Sequence, residues 1–296
     1  MSTLASHLVQ GLYLAVVGIW HLFAAVRSYV KSLREYSARI WYPVPWLPVR
    51  AKHLELYLHM VLIPLAMAYE LVVTTSFEPL VKVSVPAFRI IDYQHAALLL
   101  IFWLLAAIAL ISEITSALPL PAEAFFLLSG VACAMEWIVM VNEGQGLEGK
   151  CNSLLAGVAA VCAGSATVLA LHPKAFLADL LLFGAVLLQG LWMMQSGLSL
   201  YVEAFIPDGC HRLLDLPGGI DGSTRCDLEE AKTRAFSFMD LAFILHVTAV
   251  VIFSVIVYGL VARIQGYRRT GGYEPLPLDS ESNVVQLNPM PKQAQF

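Results

Sequence analysis

Seven apolar runs, each long enough to cross a bilayer, constrain this chain more than any other feature. They fall at about 8–26, 54–74, 93–112, 122–141, 153–171, 177–205 and 239–262. A transmembrane helix needs about 20 largely apolar residues, because the hydrocarbon core is roughly 30 Å thick and a helix rises about 1.5 Å per residue. Backbone amides in lipid must be satisfied internally, which leaves helices and closed barrels as the only spanning structures. The runs are too long for barrel strands, so the expectation is an all-α bundle of seven transmembrane helices. Composition agrees: 58% of the 296 residues are hydrophobic, only 14% are charged and mean hydropathy is +0.71, whereas a soluble domain is about 25% charged. Connections between runs are mostly short and leave no room for a soluble domain. The net charge of −4 is small and says nothing about nucleic acid; no basic block or nucleic-acid motif appears, so no nucleic-acid partner is expected. The first run lacks a basic segment before it and is followed by basic residues, so it is read as a retained helix rather than a cleaved signal.

Charge sets the expected orientation. With seven spans, Arg27, Lys31, Arg34, Arg39, Arg50 and Lys52 share a side with Arg263, Arg268 and Arg269; that side holds 11 of the 18 basic residues. The positive-inside rule then puts the N-terminus outside and the C-terminus in the cytosol. Residues 1–262 form the membrane domain, and the aperiodic polar stretch 263–296 is read as a disordered cytosolic tail. Within it, Tyr273 and Leu276 fit the Tyr-x-x-hydrophobic pattern read by endocytic adaptors. Cys210 and Cys226 lie together on the expected outer side, where disulfides persist, and are predicted to be bridged.

Polar residues inside the runs are the functional pointers. In the sixth run Gln189, Trp192, Ser196, Ser199 and Glu203 fall within roughly 80° of one face at about 100° per residue. Such a stripe gains nothing from lipid and must face helices or water. Glu136 stands in GVACAMEWIVMV with apolar residues on both sides, at a cost of at least ~2.5 kcal/mol if charged at the bilayer centre. Glu55, His59 and Glu70 share a face of the second run, which Pro64 should kink. With this topology Glu70, His95, Glu136, Gln189, Trp192, Gln195, Glu203 and His246 form a candidate polar cavity in the outer half of the membrane, with Trp192 and Gln189 as its floor. Three readings stay open at this point: a proton-linked cavity for a small solute or ion, a zinc site made by His95, Glu136 and His246, and a structural network that ties helices together. Ala156, Ala160 and Gly164 form a small-xxx-small series suited to close packing, within the chain or in a homo-oligomer. The eight histidines contain no His-x-x-x-His pair, and no nucleophile or phosphate-loop motif stands in a suitable context, so a non-enzymatic protein is expected.

Several short pieces recur in a definite order: Gly18-Ile-Trp-His21, His53-Leu-Glu-Leu56, Gln94-His95, Gly146-Leu-Glu-Gly149, Leu188-Gln-Gly-Leu-Trp192 and His246. In these the chain resembles the transmembrane protein 45 family, a membrane family of unknown function well represented in plants. The resemblance covers nearly all of residues 1–262 and implies a multi-pass protein with an organising, trafficking, stress-response or virus-response role, in a secretory-pathway, plasma, vacuolar or endosomal membrane. Relatives often carry several histidines around the Gly-Leu-Glu-Gly loop. Here VNEGQGLEGKCNSLL has none, so metal chemistry does not transfer.

Overall fold

A computed structural model describes residues 3–43, 52–72, 87–115, 118–212 and 224–266. It contains α1 (Leu4–Lys31), α2 (Leu54–Val72), α3 (Ala87–Ile114), α4 (Ala122–Val141), α5 (Gly146–Leu171), α6 (Phe176–Tyr201) and α7 (Glu229–Ile264). All seven are long and apolar enough to cross a membrane. The fold is all-α, with one short strand pair, between α6 and α7, among the described residues. Helices α3, α5 and α7 begin six to ten residues before the apolar runs that mark them, because polar residues such as Asp92, Lys150 and Lys232 continue the helix beyond its apolar part. Residue 203 belongs to a short 3-10 turn, Glu203–Phe205, just past the end of α6. The tail after residue 266, with Tyr273 and Leu276, lies outside the described residues.

The centre of the bundle is the α6 stretch that carries the polar stripe. Half of its most apolar window is buried, more than in any other span. Its closest neighbour is α1, which crosses it in the opposite direction. A Cβ on Gly18 would lie 2.6 Å from Leu187 N, and one on Gly190 would lie 2.5 Å from Gly11 O and still closer to Ala15 N. Gly11 and Gly18, like Gly190 and Gly197, are seven residues apart, so each pair recurs on one helix face and lets the two backbones touch. The small-residue series of α5 behaves differently. Ala156 is buried inside the chain, but a Cβ on Gly157 or Gly164 would meet nothing within 4 Å.

Helices α2 and α3 pack chiefly on one another as a hairpin, and α3 also packs on α4, where Phe125 meets Leu56 and Ala109. Pro64 cannot donate to the carbonyl four residues back. That carbonyl belongs to Met60, and Trp103 Nε1 of α3 donates to it at 3.4 Å. The proline's missing bond is thereby replaced by a tie between the hairpin's two helices.

Beyond α6, β1 (Cys210–Arg212) pairs antiparallel with β2 (Thr224–Cys226), and Cys210 is disulfide-bonded to Cys226 in the same register. Thr224 Oγ1 donates to Leu200 O at 2.8 Å and fastens the strand pair to the end of α6. Cys133, Cys151 and Cys162 are free and buried. Closing a loop of 16 residues restricts the unfolded chain by about 3 kcal/mol. Protein melted in detergent with reductant is therefore expected to lose a corresponding part of its thermal stability. Two free thiols in protein prepared from oxidising membranes would contradict the bridge.

Candidate functional site

The α2–α3 hairpin meets the remaining helices through polar side chains at both ends and leaves a cavity of about 600 Å³ between them. At one end, the pieces Trp20-His21 and Glu55 come together. His21 Nε2 lies 2.6 Å from Glu55 Oε1, while Trp20 Nε1 and the Tyr42 amide each donate to Oε2 at 3.1 Å. His21 is 1% exposed and stacks on Phe183 of α6 at a centroid distance of 3.9 Å. His59, one turn along α2, places Nδ1 2.6 Å from the Glu55 carbonyl and its ring edge against Tyr13. A second buried pair lies near this end: Tyr36 donates to Asp179 at 2.5 Å. Burial, and then the nearby Asp179 carboxylate, push the Tyr36 phenol far above its ordinary range, so it stays protonated and remains a donor.

At the other end, Thr3 both caps α1 and meets Tyr69 OH at 2.7 Å. Gln10 Nε2 donates to Glu70 Oε1 at 3.0 Å. His95 Nε2 of α3 lies 2.7 Å from Glu143 Oε2. Glu143 is positioned by the tight turn from α4 to α5, where Gly144 adopts a φ of +79° and its carbonyl leaves no room for a side chain at Gly149. Between the two ends, Gln189 Nε2 of α6 donates to Glu136 Oε1 of α4.

The cavity lining thus contains Glu70, His95, Glu136 and Gln189, four of the eight residues expected from sequence, and adds Glu55, His59 and Glu143. The other four lie elsewhere. Trp192 is fully buried, donates to Cys151 O at 3.0 Å and packs edge-on against Phe243 of α7. It therefore belongs to the α5–α6–α7 core and is not a cavity floor. Gln195 donates to Ser199 on its own helix at 3.0 Å. Glu203 is exposed beyond α6. His246 binds the Ala242 carbonyl at 2.8 Å and sits 5.9 Å from the Trp192 ring. It is not part of the cavity lining that holds His95 and Glu136. Among the described residues no three His, Cys, Asp or Glu side chains are close enough to hold a metal ion, so the expected His95, Glu136 and His246 triad does not assemble. Glu55 and His59 are legible in the sequence as polar positions on one face of the second run. Gln10 carried no such signal, and only the α1–α2 contact reveals it.

One part of the chain matches a known family model. Residues 122–259 match the model of a family of unknown function, DUF716. The matched stretch takes in α4, α5, α6 and most of α7, and so includes Glu136, Glu143, Gln189 and the Trp192 core. No curated protein matches the chain.

Proposed function

We propose that this chain is a non-enzymatic integral membrane protein that binds a small solute in the cavity under the α2–α3 hairpin. The observation that carries this reading is the cavity itself. Its volume of about 600 Å³ falls in the ordinary range for small-molecule sites, and it combines apolar walls with a few placed polar groups. The walls include Val17, Leu62, Leu98 and Val186; the polar groups include Glu70, His95, Glu136 and Gln189. Ionisable groups at membrane depth commonly mark solute or ion pathways. The DUF716 match is consistent with the resemblance to the transmembrane protein 45 family, and the orientation we infer from the basic residues puts the Glu70–His95 end on the outer side.

Purified protein in liposomes is expected to move at least one member of a panel of small cationic, neutral and anionic lipophilic solutes faster than protein-free vesicles. Glu136→Gln should slow that movement by about tenfold or more, a loss of roughly 1.4 kcal/mol. Neither movement nor saturable binding across the panel would remove this reading. A second reading, an organising or trafficking role, has its own support. The polar groups are bonded across helices, as His95 is to Glu143 and Gln10 to Glu70, which is also how a network that only ties helices together would look. It extends to adaptor binding at Tyr273 and Leu276 and to self-association through the open side of α5 near Gly164.

A further inference from the structure

Resting on the cavity reading, we propose that the solute is a lipophilic organic cation, with Glu136 as its counter-ion. Charge complementarity points to this class. Four carboxylates line the cavity, Glu55, Glu70, Glu136 and Glu143, and among the described residues no lysine or arginine does. An anion would meet four carboxylates there and no free cationic side chain among the described residues. The histidines of the lining are already engaged: His7 with Thr3 O, His59 with Glu55 O, and His95 with Glu143.

The four carboxylates are not equivalent. Glu55 receives three donors from the protein, and Glu143 has an imidazole at 2.7 Å. Glu70 is 2% exposed and bonded to Gln10 at the cavity's end. Glu136 lies midway along α4 and its hydrogen bond comes from a neutral amide, Gln189. A carboxylate at membrane depth held by an amide lacks the full opposite charge that would offset its desolvation. A cation seated beside it supplies that charge. The remaining surface selects the body of the molecule. Leu98, Phe102, Met140 and Val186 give apolar walls, and Tyr13 and Phe102 put aromatic rings, which can attract a cation, in the lining. A bare divalent metal fits poorly, since a volume of about 600 Å³ far exceeds one coordination sphere and no three-ligand group is present among the described residues. A sugar would leave its hydroxyls against those apolar walls.

Three molecules of similar shape separate the possibilities: tetraphenylphosphonium, the neutral triphenylphosphine oxide, and tetraphenylborate. Equilibrium binding is measured on the full chain in detergent, with empty micelles subtracted. The expected result is saturable phosphonium binding about tenfold or more tighter than that of the oxide, and no saturable borate binding. Glu136→Gln should abolish the preference by weakening phosphonium binding to the level of the oxide, and Glu136→Asp should retain it. Equal affinity for the phosphonium and the oxide, or tighter borate binding, overturns the cation inference and leaves the cavity reading standing. A preference that survives in Glu136→Gln overturns the role of Glu136. No saturable binding of any of the three overturns both the inference and the reading beneath it. The comparison among ligands uses the unaltered protein, so it decides the charge question even where a variant folds poorly.

Discussion

Gly190→Leu leaves little folded protein, whereas Gly164→Leu melts like the unaltered chain. That is the result expected from the geometry of the α1–α6 seam. A side chain at Gly190 meets Ala15 N and Gly11 O, which are backbone atoms on the buried face of α1. No rotamer change relieves such an overlap; the helices must separate along their contact. Ordinary overpacking costs about 1–3 kcal/mol when side chains can shift, and here the cost should exceed that range because backbone must move. Separation also uncovers Leu187 and Leu22, buried with Ala15 in the same core cluster. Gly164 is the matched control. It is also a helical glycine in a transmembrane span, but a side chain there meets nothing within 4 Å. The readout is monodisperse yield and melting temperature after detergent extraction. Equal behaviour of the two variants would mean that the close α1–α6 approach does not hold the bundle together. A Gly164→Leu variant that melts normally but loses an oligomer would instead locate self-association on α5.

The same comparison shows what was legible beforehand. Seven spans could be read because lipid imposes a length and polarity that little else in a chain mimics. Helix ends could not, since α3, α5 and α7 continue through polar residues that hydropathy passes over. The small-residue series of α5 drew attention because three small residues recur at four-residue spacing, yet the tight seam uses glycines seven apart on two distant helices. Periodicity identifies which residues share a face and is silent about what that face meets. Gln189 and Trp192 share the stripe of α6, but one turns to Glu136 of α4 and the other to Cys151 of α5. Glu136 was legible as a carboxylate in an apolar run. The α6 stripe pointed to it as the first partner to look for, and Gln189 is the stripe residue that bonds it.

His21→Ala is expected to carry the second large effect, roughly 3–5 kcal/mol, the usual consequence of removing one partner of a buried ion pair or its hydrogen-bonded equivalent. Two losses combine. The Glu55 carboxylate, 8% exposed, keeps Trp20 Nε1 and the Tyr42 amide but loses its closest contact at 2.6 Å. The space left beside Phe183, on which the imidazole stacks, removes packing between α1 and α6. Glu55→Gln should cost less, about 1–3 kcal/mol, because an amide can still accept from some of the same donors. The double variant His21→Ala/Glu55→Ala should be less destabilised than the two single losses added together, since each single change strands the other partner. A coupling below about 0.5 kcal/mol would show that the two side chains act independently. The effect should also be local. Near this end α2 is fastened to α1 through Glu55, so amide exchange in the first turns of α2 should rise well before that of α5 or α6. Because Glu55 lines the cavity, loosening it should also open the solute site. Ligand dissociation from His21→Ala would then be faster than from Gly164→Leu, which touches neither the seam nor the cavity. Equal dissociation rates would confine the His21–Glu55 pair to holding the fold.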